Sequence, residues 1–318
     1  VSYLVWIGAS LRLTHNTPTV AWGALALLAV VGLVLTRRPR QGAGPVRRRL
    51  IVLEEVLFSA AFFAFVSVRL LNPDLWQPWF GGEKMMEIAI LNALTKSAYM
   101  PPYDPYFSGG YLNYYYYGQF IVNVLIKLTG ITPSVGFNLA VATLFALTVA
   151  NAFTVVYNLA AKRSAPWREG LTAALLGPFF VALLANLATP LWYLRRLGEL
   201  SNSSFTSGLP GLQTAVRGAG GLLQVLQGQA SLPAFNYWDP SRVIPFTINE
   251  FPYWSFLFAD LHPHMIGLAF TLLFVGLCLN LYRAGPQPAA PEIGVPRIWA
   301  ALPSAGRVAG WLLLPLAL

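Results

Sequence analysis

Glu83 and Glu87 stand four residues apart in the stretch Gly81-Gly82-Glu83-Lys84-Met85-Met86-Glu87. On a helix beginning near Gly82 both carboxylates share one face, and a carboxylate near a helix start is favoured by the macrodipole. A carboxylate at a membrane surface can act as general base toward an acceptor hydroxyl. Paired carboxylates can alternatively hold a divalent metal that carries phosphates, and the same pattern also fits a solvated interfacial helix with a Glu–Lys pair. A second group follows: Pro101-Pro102-Tyr103-Asp104-Pro105-Tyr106, then Gly109 to Gly118 with Asn113 and the run Tyr114-Tyr115-Tyr116-Tyr117. The prolines stop a helix and set a turn. Tyrosines suit the headgroup level, but four in succession point all round a helix, so some should face a cavity and can stack on a sugar. The third group is Asn249 to Phe256, with Glu250, followed by Asp260-Leu261-His262-Pro263-His264, which holds two of the chain's three histidines. Asp260, His262 and His264 could bind a metal, yet Pro263 constrains them and no third protein ligand follows from the sequence. Protonated histidines could equally hold a phosphate. No residue set is therefore assigned to a metal and no cofactor is assigned, although a divalent metal is compatible. Arg69, near the end of an apolar run, either snorkels or reaches an anionic ligand. Glu54 and Glu55 follow Arg47 to Arg49 and read as their neutralising partners, and Glu250 could pair with Arg242.

The elements that must position these residues are apolar. Hydrophobic residues make up 56% of the 318 and charged ones 10%, against roughly 25% charged in soluble domains. That excludes a soluble globule and a disordered tail, and long unbroken apolar runs exclude a β-barrel. The fold class is all-α, a polytopic helical membrane protein expected as a multi-pass protein of the cell membrane. The net charge of +9 does not point to nucleic acid, because six of the 21 basic residues fall between Arg37 and Arg49, between two apolar runs. A cytoplasmic loop over anionic lipid accounts for them. The lone Cys278 rules out an intramolecular disulfide and a cysteine zinc cluster.

A span needs about 20 apolar residues. Pro18 to Leu35, Leu50 to Leu71, Ser134 to Ala161, Leu171 to Leu194 and Leu261 to Tyr282 are the expected spans. Val1 to Leu13 reads as the end of an earlier helix and Val308 to Leu318 as the start of a later one. The chain is accordingly expected to be a piece of a longer protein, a single membrane domain over 1–318 whose missing parts are partners. Tyr114 to Thr129 is short and carries Lys127. If it does not cross, the inner loops (36–49, 162–170 and 283–307) and the helix ends beside them hold 12 basic residues against four acids. The outer side then holds nine against eight. Crossing would turn two basic triplets outward, against the positive-inside bias. On this reading loops 72–133 and 195–260 share the outer side. Asn202 to Gln229 reads as a mobile outer loop that can hold a short amphipathic helix.

Gly82-Glu83-Lys84, Pro102-Tyr103-Asp104-Pro105, Asn113-Tyr114-Tyr115-Tyr116, Gly118 and Asp260-Leu261-His262-Pro263-His264 together resemble the YYY membrane protein family (Chlor_Arch_YYY), from about Leu50 to Tyr282. That family has no assigned biochemical function. The resemblance leads one to expect aspartate where Glu87 stands, a change that keeps the carboxylate and lengthens its reach. The family is in turn similar in layout to the GT-C glycosyltransferases, whose catalytic acid lies in the first outer loop beside non-crossing helices. This resemblance implies transfer of a sugar from a polyprenyl-phosphate donor, with Glu83 as the catalytic acidic residue and Glu87 or Asp74 as substitutes. Binding roles fall to Arg69, Lys84, Asp104, Asn113, Tyr114, Tyr115, Tyr116, Glu250, Asp260, His262 and His264, with membrane lipid as the other partner. The rival classes are a transporter or lipid-handling protein and a structural subunit. The charge-free centres of the longest runs, with polar motifs gathered at one interface, favour surface chemistry over passage.

Overall fold

The computed structural model describes residues 1–36, 45–77, 82–161, 166–184, 186–209, 211–234 and 236–284. Gly81, most of the basic loop around Arg37, Lys162, Arg163 and everything after Ala284, including the run Val308 to Leu318, lie outside the described residues.

The described chain is helical, with no β-strand: α1 (Ser2–Ser10), α2 (Pro18–Thr36), α3 (Pro45–Leu71), α4 (Lys84–Lys96), α5 (Tyr117–Thr129), α6 (Pro133–Ala160), α7 (Leu171–Pro178), α8 (Ala188–Leu200), α9 (Leu212–Leu226), α10 (Pro252–Phe258) and α11 (Pro263–Ala284). It forms two compact units, one of residues 1–183 with 256 onward, the other Leu184–Ser255.

Three described helices are long and apolar enough to cross a bilayer: Arg48–Leu71, Pro133–Ala160 and Pro263–Arg283. They differ in what surrounds them. In the apolar window of α6, 61% of residues are buried in protein, against 6% in α3 and 17% in α11. So α6 is the centre of the first unit, and α3 and α11 turn most of their surface outward. In lipid that surface costs nothing, and packing between helices depends on dispersion and close approach. Phe65 of α3, Phe145 of α6 and Phe256 of α10 supply it, with ring centroids 4.5, 5.2 and 6.1 Å apart. Asn151 of α6 also donates to the Ala269 carbonyl of α11 at 2.9 Å.

The expected span Leu171 to Leu194 is not one helix. Pro178, inside the helix, cannot donate to the carbonyl four residues back, and the turn Phe179–Leu183 widens into π geometry before the helix stops. Helix begins again only at Ala188, in the other unit. Helix α2 is apolar over Pro18–Val34, shorter than the three spans. Helix α5 has 13 residues, about 20 Å of rise against a hydrocarbon core of about 30 Å, which suits a helix that does not cross. Glu54 accepts a hydrogen bond from Thr154 of α6 at 2.7 Å, so it ties α3 to α6.

The second unit contains an α8–α9 hairpin, so the stretch around Asn202 to Gln229 holds a 15-residue helix. In the same unit Asn186 donates to the Pro240 carbonyl at 2.7 Å, and Tyr237 stacks on Trp254 with centroids 5.3 Å apart.

Candidate functional site

The acidic motif and the Asp–His motif meet at the start of α4. Gly82 adopts φ +61°, and a Cβ there would strike both Phe258 and the Asp260 carboxylate. Glycine lets the backbone pass close enough for Glu83 N–H to donate to Asp260 Oδ2 at 3.0 Å. Asp260 thus serves as a helix cap from 177 residues away, where the helix dipole favours an anion. Lys84 turns its ammonium to Asp260 Oδ1 at 3.0 Å, with both side chains almost fully buried, and lies 4.3 Å from the Phe258 ring centroid. Ala259 is buried at φ +62°, a left-handed turn that a residue with a Cβ adopts at a cost of about 1–2 kcal/mol. That turn carries Asp260 and Leu261 toward α4.

Glu83 and Glu87 share a helix face, as their spacing predicts, but not an environment. Glu87 is 1% exposed, and its Oε2 accepts a 2.6 Å hydrogen bond from Leu261 N–H. Burial first, then the neighbouring Asp260 charge, pushes its carboxyl up to about 9, against the pull of the Leu261 amide and of Lys84. Burial also pushes Asp260 up, opposed by Lys84, the Glu83 amide and His262. Glu87 is therefore a neutral acid at neutral pH. Glu83 stays at the surface, its Oε2 2.8 Å from His262 Nε2. His264 lies beside it, ring centroids 5.0 Å apart.

His262 meets the two glutamates rather than completing a set with Asp260 and His264. Glu83, Glu87 and His262 each offer a ligand atom, all within 4.8 Å of one another. Two carboxylates and an imidazole are donors of the type a small divalent cation takes, once Glu87 has given up its proton. Asp260, considered beside the histidines in the sequence, faces Lys84 and the α4 amide instead.

The tyrosines do not wrap a helix. Only Tyr117 is inside α5; Tyr116 is its cap, and Tyr114 and Tyr115 precede it. They line a cavity of about 540 Å³ together with Trp6, Leu261, Pro263, Ile266 and Phe270. Tyr116 accepts from the Trp6 indole at 3.2 Å. Burial, and after it the neighbouring Glu83 and Glu87, raises the Tyr114 phenol. The cavity follows α11 from Pro263 to Thr271, about 12 Å of helix rise. Gly118 permits this close approach, since a Cβ would press on Ile266.

The remaining candidates have local duties. Asp74 is exposed and accepts from Trp76 N–H at 2.8 Å, within its own turn. Asp104 caps the turn of a small hairpin through Tyr106 N–H at 2.8 Å, and Tyr106 reaches the Met85 carbonyl at 3.2 Å, tying that hairpin to α4. Asn113 is exposed beside the tyrosines. Arg69 is 6% exposed, and its Nε donates to Asn138 at 2.9 Å. Glu250 belongs to the other unit, where Ser255 donates to it at 2.9 Å; there Arg242 donates to Ser241 at 2.6 Å.

Sequence reasoning passed over Phe258, Ala259, Asn138 and a buried amide group. In the last, Asn16 donates to the Leu94 carbonyl at 2.8 Å and accepts from Asn123 at 3.3 Å, with Gln119 buried one turn before Asn123. Gln119 and Asn123, four apart in a short apolar helix, were the available signal. No curated protein and no solved structure matches this chain. A family model described as Uncharacterized membrane protein (DUF2298) matches residues 1–313, and the chain belongs to that family.

Proposed function

We propose that this chain is an integral membrane glycosyltransferase of GT-C-like layout, multi-pass in the cell membrane, which takes a sugar from a polyprenyl phosphate at the outer face. The observation that carries this reading is the cavity of about 540 Å³, lined by the tyrosines and by an apolar wall along α11, whose lining residues Leu261 and Pro263 stand on either side of His262, the partner of Glu83. That polarity fits an amphiphile with a reactive head and a hydrocarbon chain. The grouping of motifs shared with the YYY family around one helix start supports it further.

In this reading Glu83 takes the proton of an acceptor hydroxyl. The hydroxyl oxygen attacks the anomeric carbon as the bond from that carbon to the phosphate oxygen breaks. The polyprenyl phosphate leaves with the electron pair, and the configuration inverts. His262 holds Glu83 Oε2, leaving Oε1 for the acceptor, and with His264 it faces the donor phosphate. Tyr114 and Tyr115 flank the sugar. Glu87 and the Lys84–Asp260 pair hold the frame.

The convergence of Glu83, Glu87 and His262 favours a second version, in which a divalent cation held there carries the donor phosphate. The two differ in whether Mn²⁺ binds the purified protein and whether Glu83→Gln removes that binding. The test of the reaction itself is native mass spectrometry of the protein carrying Glu83→Gln, purified gently from its own membranes. With the base blocked, a bound polyprenyl-phosphate sugar should accumulate. Only bulk phospholipid, in the variant and in the wild type, would overturn the reading in favour of transport or a structural role.

A further inference from the structure

Among the described residues, helix α9 buries no apolar side chain within its own unit. Of its 15 residues it buries only Gly218 and Gly221. Both lie against the backbone of α8: a Cβ at Gly218 would press on Leu194, and one at Gly221 would overlap the Leu197 carbonyl. The two helices therefore meet through bare backbone, and the contact removes little side-chain surface. Isolated helices below about 12–15 residues are marginal in water even when alanine-rich, and α9 carries three glycines, each of which disfavours helix. Its apolar side chains at Leu212, Val216, Ala219, Leu223 and Leu226 recur every three or four residues and form one stripe. All five are exposed, Leu223 by 56% and Leu226 by 74%. A helix with this sequence persists only if something covers that stripe.

The surroundings identify the cover. The unit is tethered at both ends to apolar helix: α7 and its π turn end at Leu183, and the candidate span α11 begins at Pro263. Helix α9 has no acid and a single base, Arg217. Its partner α8 adds Arg195 and Arg196 beside Trp192 and Tyr193, with Arg196 5.7 Å from the Trp192 ring. A leucine stripe flanked by bases and amphipathic aromatic rings is the composition of a helix that lies in the plane of a lipid surface. We propose that the α8–α9 hairpin is an in-plane membrane-surface element: the α9 stripe enters the acyl boundary of the bilayer, while Gln213, Arg217 and Gln224 face away from it. This stands independently of the transfer reaction.

The test starts from the protein with Cys278→Ser, which removes its single cysteine. One cysteine is then introduced by Val216→Cys or Leu223→Cys on the stripe, or by Gln213→Cys or Gln224→Cys on the polar flank, and labelled with an environment-sensitive fluorophore. The protein is reconstituted in phosphatidylcholine–phosphatidylglycerol vesicles with or without brominated acyl chains. Labels at 216 and 223 should be quenched several-fold more by the bromolipid than labels at 213 and 224, and aqueous iodide should give the reverse order. Equal bromolipid quenching on both faces, or stripe labels shielded from iodide and bromolipid alike, would overturn the proposal; the latter outcome means that protein covers the stripe. Two positions per face keep one misfolded variant from deciding the result.

Discussion

Two layers of the α4 start each contain a glutamate and treat it in opposite ways. The lower layer, Glu87, Asp260 and Lys84, is at most 6% exposed and cross-bonded between α4 and the α10–α11 turn. The upper layer, Glu83, His262, Tyr114 and Tyr115, is open, and in its Glu83–His262 contact the two side chains are 47% and 27% exposed. One helical turn separates Glu83 from Glu87, yet one is at the surface and the other a buried neutral acid. A carboxylate under cover builds the frame, because releasing its partners is expensive; a carboxylate at the rim can exchange partners with a substrate. Residue type alone does not assign the role.

The contrast breaks most completely at Asp260. Asp260→Asn removes the carboxylate shared by Lys84 and the Glu83 amide, and should lower stability by roughly 3–5 kcal/mol, read as a large fall in Tm in detergent together with loss of activity. Glu83→Gln should do the reverse, leaving Tm nearly unchanged while the proposed transfer falls roughly 10²–10⁴-fold; a large drop in Tm would move Glu83 into the lower layer. Glu87→Gln sharpens the comparison through pH. The Glu87 carboxyl rises from 4.5 to about 9 in the fold, so its proton contributes stability that is fully present below about 4.5 and is lost as pH rises through about 9. Wild-type Tm should therefore decline across that window. Glutamine still accepts from the Leu261 amide and cannot ionise, so the variant's decline should be much shallower; parallel curves would refute the assignment. The smallest effect is expected at the rim, where in the proposed reaction Tyr115→Ala should raise KM about two- to tenfold through loss of a ring contact worth about 0.5–1.5 kcal/mol, with kcat and Tm little changed.

Much of the scaffold was legible. The runs Leu50 to Leu71, Ser134 to Ala161 and Leu261 to Tyr282 became candidate spans with ends shifted by no more than two residues. The i,i+4 spacing put Glu83 and Glu87 on one helix face, and the motif residues Gly82, Glu83 and Asp260 did converge. Leu171 to Leu194 failed as one helix because Pro178 and the π turn interrupt a segment that is uniformly apolar. The tyrosine run failed as a helix because α5 begins only at its last member.

Hydropathy and spacing sum over a window of neighbours, so the sequence alone determined that this chain is an all-α membrane protein and where its long apolar helices lie. Whether an acid is a builder or a rim group depends on contacts made across 174 to 177 residues: the Leu261 amide on Glu87, and the Asp260 carboxylate on the Glu83 amide and Lys84. Only the tertiary structure decides that, since burial and partnership are set by what folds against a residue rather than by what precedes it in the chain.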